Sequence, residues 1–406
     1  MNILYISYDG MTDPLGQSQV LPYIIGIQQQ LACTFTLLSC EKPDRFAQQG
    51  NAIQQLMDTN GIDWQPLLFH TKPPFVAKLY DQYQLKRRAL QLHRQKQFAW
   101  VHCRSYVAAM VGEEMKQKTG IKMLFDMRGF WVDERVEGGM WNLKNPFYQL
   151  AYQYYKHREG KLINIADAIV VLTQRAKTEI ETWASWQTQK TPITVIPCSA
   201  DFDHFTIPTS AQKQTACQAL QIPTNSLVIS YLGSIGTWYM LDEMLDFFFQ
   251  IKQTFSNAIL LFITPDSPNL LLPQIAAHNI SPESVRIVSA TRQQVPYYMA
   301  ASDVNLFFIR NSYAKQASSP VKLGEVLAMG IPIITNSGVG DVDTIVQNTH
   351  AGMVLNACTI ANYQQTTQKL PQLLHKNKNE IRQKAAEYYL LSKAVTKYAA
   401  IYAEKK

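Results

Sequence analysis

The six cysteines, Cys33, Cys40, Cys103, Cys198, Cys217 and Cys358, form no CxxC pair and no cluster with histidine. That spacing argues against a disulfide framework or a zinc finger and leaves reduced thiols. No stretch reaches the roughly 18 to 20 apolar residues that span a bilayer. The opening MNILYISYDG lacks the basic and long apolar regions of a signal peptide, so a cytoplasmic protein is expected. Internal short repeats and low-complexity tracts are missing too. Neither a GxGxxG fingerprint nor a Walker A loop occurs, which disfavours a nicotinamide-dependent oxidoreductase built from two Rossmann units.

What the chain does have is bulk. Its 406 residues exceed one ordinary core and suit two domains of about 200 residues each. Hydrophobic residues make up 47% and charged residues 17%, the balance of a globular enzyme. The formal charge of +7 is concentrated in one place. Lys72, Lys78, Lys86, Arg87, Arg88, Arg94, Lys96 and Arg104 face only Asp81 over residues 72–104. Phe75, Leu79 and Tyr83 recur there at helical spacing. The segment reads either as an amphipathic helix on an anionic membrane surface or as a solvated helix whose apolar face packs on its own domain. Nucleic acid is not an expected partner, because no recognition motif accompanies the charge.

Short apolar runs alternate with helical patterns, as in parallel sheets covered by helices on both faces. Candidate strands are Ile3–Ser7, Phe35–Ser39, Gln65–Phe69, Trp100–Cys103, Lys122–Phe125, Ala168–Leu172 and Ile193–Ile196. A second series follows: Leu227–Leu232, Ala258–Ile263, Val285–Val288, Val304–Phe308 and Ile331–Ile334. The predicted fold class is α/β, with two Rossmann-like doubly wound domains facing a central cleft. The Pro-, Ser- and Asp-containing stretch Ile196–Ser210 reads as the linker, with a boundary near Ala200. The domains are thus 1–200 and 201–385, followed by a terminal helix 386–406 expected to return to the first.

Ligands of open parallel sheets bind beyond the carboxyl ends of the strands, which selects a few loops. In SYDGMTDPLGQSQ, Gly16 and Gln17 follow the first strand, where glycine lets backbone approach a diphosphate or sugar and a helix start favours negative charge. Any parallel-sheet protein also needs a turn there. Arg104 follows the fourth strand and suits a phosphate or carboxylate; His102 beside it reads equally as a buried histidine. In LFDMRGFWVDERVEGGMWN, Asp126 and Arg128 stand among charges and aromatics, a natural sugar surface or an internal ion-pair network.

In the second half, YLGSIGTWYM carries Gly233, Ser234 and Thr237 at a strand end, where backbone amides would hold phosphate and Trp238 or Tyr239 would stack on a base or fill core. The densest signal is IRNSYAKQASSPVKLGEVLAMGIPIITN. Arg310 follows a strand, and Ser318, Ser319 and Pro320 open a helix that carries Lys322, Leu323 and Glu325. Serines and free amides would bind phosphate oxygens, Lys322 would add charge, and Glu325 would reach a vicinal diol. Ser319 as a plain N-cap accounts for only part of the set.

With ADAIVVLTQRAK, the linker VIPCSADFDHF and the opening glycine loop, these residues resemble bacterial glycosyltransferases of family four, which have the GT-B fold. The resemblance runs over nearly the whole chain. It implies a retaining transfer from a nucleotide diphosphate sugar, a co-substrate rather than a tightly bound cofactor, to a glycan or lipid-linked acceptor in cell-surface polysaccharide biosynthesis. No metal is implied. Glu325 becomes the ribose ligand, Ser318, Ser319 and Lys322 the phosphate contacts, and Arg128, Asp126 and Arg104 the candidates for catalysis. Two departures stand out. Ala317 occupies the position of the first of the family's paired glutamates, and the usual arginine and lysine after the first strand of the second domain are absent from GSIGTWYM. A membrane-bound acceptor would set the enzyme on the inner face of the plasma membrane. A nucleotide-sugar epimerase or hydrolase of the same fold, or a non-catalytic assembly protein, are the competing readings.

Overall fold

A computed structural model describes residues 1–403, apart from the side chains of Pro74 and Phe75. The chain divides into two compact units, Met1–Pro197 with the C-terminal stretch from Leu391, and Cys198–Leu390.

The first unit is a seven-stranded sheet of order β3-β2-β1-β4-β5-β6-β7. Its strands are β1 (Asn2–Ser7), β2 (Thr34–Glu41), β3 (Asp63–Leu68), β4 (Trp100–Arg104), β5 (Lys122–Met127), β6 (Ala168–Val171) and β7 (Ile193–Val195). The second unit has six strands in the order β10-β9-β8-β11-β12-β13, namely β8 (Leu227–Leu232), β9 (Ala258–Ile263), β10 (Val285–Val288), β11 (Val304–Phe307), β12 (Ile333–Asn336) and β13 (Gly352–Leu355). All pairings are parallel. Parallel strands buried on both faces read as unbroken apolar runs, which is why AILLFI of β9 is buried at every position. The doubly wound α/β class is borne out.

β13 has no counterpart among the expected strands. Its four residues, GMVL, sit at the sheet's edge and begin with a glycine, too short a pattern to stand out from neighbouring helices. Only glycine fits there, because a Cβ on Gly352 would lie 2.3 Å from the Ile333 carbonyl oxygen. The expected single terminal helix is broken: one helix ends at Tyr389, Leu390 is extended, and another runs Leu391–Ala403. The latter packs on the Leu21–Gln30 helix and adds Ala394, Val395, Tyr398 and Tyr402 to the first unit's core. Residues 404–406 of the expected helix lie outside the described residues.

In each sheet the strand order reverses once, between β1 and β4 and between β8 and β11. Ligand crevices of open α/β sheets form beyond the strand ends at such points. The loops after β1, β4, β8 and β11 are thereby singled out by topology.

Candidate functional site

In the second unit, the loops after β8 and β11 zip together. Met240 N–H donates to the Phe308 carbonyl at 3.0 Å and Arg310 N–H to the Trp238 carbonyl at 2.9 Å. Asn336, at the end of β12, fixes the second of these loops by accepting from Ile309 N–H (2.7 Å) and donating to its carbonyl (2.8 Å). The polar run after β11 then turns through a short 3-10 helix, Ala314–Ala317, before the helix Val321–Ala328 begins.

That helix starts one residue later than a serine cap requires. Its N-cap is Pro320, which offers no side-chain acceptor, while the Ser319 hydroxyl accepts from Cys198 N–H at 3.2 Å. The first turn is therefore left without a side-chain cap, and helix starts of this kind attract anions. Leu323 is fully buried in the core, and its N–H already donates to the Pro320 carbonyl. It serves packing. Gly324 lets the helix press against Tyr389, whose ring carbons would lie 3.1 to 3.2 Å from an added Cβ.

Lys322 is the unusual residue. Its Nζ is buried, has no hydrogen-bond partner, and lies 3.8 Å from the ring centre of Tyr239 and 3.9 Å from that of Tyr231. A Cβ built on Gly233, whose φ is +100°, would stand 3.5 Å from this nitrogen. The ammonium thus sits directly against the glycine that ends β8. Burial holds its pKa well below the usual lysine range, with Glu325 pulling weakly the other way. The aromatic faces offset only part of the cost of an unpaired buried cation.

Glu325 is also buried, and Arg292 donates to its Oε1 at 2.8 Å. Burial raises its pKa, and Arg292 opposes that rise. Arg292 itself lies over the Phe205 ring, and its carbonyl is hydrogen-bonded to His204 Nε2 at 3.1 Å. Arg292, Tyr231 and the caging role of Tyr239 are not among the sequence expectations. Arg292 is the only cation in the loop after β10, so extending the strand-end rule to that loop would have found it.

Three expectations for this half need correction. Backbone amides of the β8 loop are partly spent, since Gly233 N–H donates to the Ile263 carbonyl and Ile235 N–H to Asp266. Trp238 and Tyr239 are not free base platforms, because Lys315 Nζ stands 3.8 Å over Trp238 while Lys322 occupies Tyr239. Ser319 is not the helix cap. Ser234, Thr237 and Arg310 are exposed around this loop pair, and Ser318 is half-buried. A cavity of ≈ 260 Å³ lies at the opposite sheet edge, between Leu227, Asp303 and Pro332, away from these groups.

In the first unit, Arg104 ends β4 at the strand reversal. It is buried, its Nε and Nη1 make no hydrogen bond, and the nearest carboxylate, Asp9 of the β1 loop, is 3.7 Å from Nε. Asp126, on β5, is saturated instead. Its Oδ2 faces Tyr398 OH (3.1 Å) and His102 Nε2 (3.3 Å), and its Oδ1 faces Arg128 Nη1 (3.4 Å). Against the burial penalty, Arg128 foremost, then His102 and Arg104, hold the carboxyl far below the usual carboxylate range. Burial pushes the His102 pKa down, against Asp126, and favours the neutral imidazole. One proton then accounts for both its bonds, Nε2–H donating to Asp126 and Nδ1 accepting from Tyr402 OH at 2.5 Å. Of the two readings of His102, the buried one fits.

The glycine loop after β1 is accounted for by packing. A Cβ on Gly16 would lie 2.3 Å from the Gly10 carbonyl oxygen. Buried Glu41 staples the loop by accepting from Met11 N–H, Thr12 N–H and the Thr12 and Ser39 hydroxyls. Gln17 donates to Gln49 at 2.7 Å.

With this geometry in place, the comparisons with known proteins divide along the same lines. The family model described as "Glycosyl transferases group 1" matches residues 212–389, somewhat under half of the chain and nearly all of the second unit. Over that stretch the chain carries a glycosyltransferase domain, as expected of an enzyme of this class. No curated protein matches by sequence. Among solved structures, sucrose-phosphate synthase from Thermosynechococcus elongatus superposes with a TM-score of 0.69 at 12% identity, covering 99% of this chain and 98% of the other. A glycosyltransferase from Rickettsia africae gives 0.67 at 15% identity, covering 100% and 99%. Anabaena HepE in complex with UDP and glucose gives 0.69 at 12%, covering 100% of both chains. At such identities the shared property is the two-domain GT-B fold.

Proposed function

We propose that the protein is a retaining glycosyltransferase that moves a sugar from a nucleoside diphosphate sugar to a glycan or lipid-linked acceptor in cell-surface polysaccharide assembly. The observation that carries this reading is the buried, unpartnered ammonium of Lys322 at the uncapped start of the Val321–Ala328 helix, against Gly233. A site that holds a buried amine with no partner, whose charged form an anion would favour, is complementary to an arriving diphosphate. It also answers the missing arginine and lysine of the β8 loop. The charge comes from the helix beside that loop, and exposed Arg310 stands ready to add to it.

Glu325, held by Arg292 at 2.8 Å, is the group for the ribose hydroxyls, with Ser318 and Ser319 toward the phosphates. The leaving diphosphate develops negative charge, so cations and amide dipoles serve it better than a proton donor. Ala317 is buried and supplies no carboxylate. Asp126, saturated with donors, is equally unsuited to be a base. Both facts favour front-face displacement, in which a leaving phosphate oxygen takes the acceptor's proton. Retention itself rests on the family resemblance. Arg128 and Arg104 are assigned to the acceptor or donor sugar, and Gly16 and Gln17 to the same rim. The work would be done in the cytoplasm, without a resident cofactor. HepE, a structure in complex with UDP, makes UDP the first probe.

Isothermal titration with UDP, GDP and ADP tests the reading. Binding of one of them, lost in Lys322→Met and retained in Arg128→Ala, is expected. Absence of binding by all three would sink the donor site and favour a non-catalytic assembly protein.

A further inference from the structure

We infer that the acceptor carries an anionic group, a carboxylate or a phosphate, and that Arg104 receives it together with the start of the Ser105–Thr119 helix. This rests on the reading that the chain transfers a sugar, and it adds what the acceptor must be.

Strand β4 ends where the first sheet reverses its order, and Arg104 is both its last residue and the N-cap of the helix that follows. An arginine side chain has no acceptor to give a helix start. The first turn accordingly has no side-chain cap and no acidic residue, so its amides favour an anion. The guanidinium at the cap supplies the second, independent pointer. Arg104 is 5% exposed, and its Nε and Nη1 are buried without a hydrogen bond. Buried polar groups are normally paired. A guanidinium with two unused donors matches a carboxylate or phosphate, whose paired oxygens fit its planar fork. Ser105, which opens the helix, holds φ at +65°, in the region that favours glycine. Strain of this kind concentrates at ligand sites.

Nothing inside the unit answers Arg104 in full. Asp9, in the loop after β1, stands 3.7 Å from Nε, beyond hydrogen-bonding reach, and its side chain is half exposed. An arriving anion would compete there with a carboxylate that water already solvates. Asp126 is opposite Arg104 in the register of β4 and β5, yet its oxygens face Tyr398, His102 and Arg128. Tyr5 stays neutral, because burial raises its hydroxyl pKa more than Arg104 lowers it.

The other loop at the reversal has little to offer an anion. Buried Glu41 already accepts from Met11 N–H and Thr12 N–H, so an internal carboxylate occupies the amides after β1. The unused donors are on the β4 side. The donor's diphosphate is assigned to Lys322 in the second unit, which leaves the anion met by Arg104 to the other substrate. A neutral acceptor would bury this guanidinium further and leave it unpaired.

Ligand-observed NMR titrations of the full chain with glucuronate, glucose 6-phosphate and glucose, with and without UDP, test this. One or both anions should bind, with glucose weaker by about tenfold or more, and the anion that binds tells a carboxylate acceptor from a phosphate one. Arg104→Met should lower anion affinity about tenfold or more without lowering the melting temperature, since it removes an orphaned group. Asp9→Asn should raise the affinity about threefold by deleting the competing carboxylate. Wild-type protein that binds neither anion, or binds glucose as well as the anions, overturns the proposal. So does Arg104→Met with wild-type anion affinity, or Asp9→Asn that binds no tighter than wild type. Displacement of the anions by UDP would put them in the donor site and overturn it too. Nucleotide binding is read separately through Lys322→Met, so either proposal can fail alone.

Discussion

Asp126 and Lys322 are both ionisable, both buried, and both near the carboxyl edge of a parallel sheet, yet their surroundings are opposites. The carboxylate has donors on both oxygens, from Tyr398, His102 and Arg128. The amine has no hydrogen-bond partner, with aromatic faces and Gly233 beside it. A saturated buried charge holds a fold together and has nothing left to offer a ligand. An orphaned one costs stability unless something binds, which is the condition expected of a site waiting for an anion. On the proposed function, the contrast gives structure to one and recognition to the other.

The largest effect should come from breaking the saturated partner. Asp126→Ala leaves His102 Nε2 and the Tyr398 hydroxyl without their carboxylate in the core, and a loss of about 3–5 kcal/mol of stability is expected in denaturant titration. The same residue sets an acid limit. Its folded pKa is depressed, so its contribution is complete above the unfolded value near 4 and fades as pH falls below it. Asp126→Asn should flatten that acid limb.

The orphan should behave in the opposite way. Lys322→Met removes an unpaired amine while keeping its bulk, so stability should rise by about 1–3 kcal/mol and nucleotide affinity should fall by about 10- to 100-fold, the worth of a charge-assisted contact. A variant that loses stability and affinity together would erase the distinction between the two residues. Glu325→Gln should sit between them. It weakens the pair with Arg292, and a loss of about tenfold in nucleoside diphosphate affinity is expected, larger for the ribonucleotide than for its deoxy analogue.

How far these roles could be read in advance depended on what kind of signal each leaves. Every strand with a run of apolar residues was recoverable, because burial on both faces writes itself into composition; β13, with four residues and a glycine start, was not. The helix bearing Lys322 and Glu325 was recoverable because its polar residues interrupt an otherwise buried segment. The cage of Tyr231 and Tyr239 was not, since tyrosines in or near a strand look like core. Nor was the saturation of Asp126, because two of its neighbours, His102 and Tyr398, are 24 and 272 positions away in sequence. Glycine was ambiguous throughout. Gly16 and Gly233 look alike in sequence, but one is a close-packing requirement against Gly10 and the other opens space beside Lys322.

The smallest effect is also the most specific to an orphaned amine. Lys322 has a depressed pKa in the free protein, whereas a bound diphosphate would favour its charged form and raise it. Below the free-state value the ammonium is already protonated and affinity should not vary with pH on its account. Above that value binding must draw a proton from solution, and affinity should fall by up to about tenfold per pH unit until the bound-state value is reached. Titrations of UDP in buffers of different ionisation enthalpy would then show net proton uptake at the higher pH. Lys322→Met should abolish it, while Asp126→Asn should leave it intact. Uptake that persists in Lys322→Met would move the titrating group elsewhere and leave the buried amine a feature of the core.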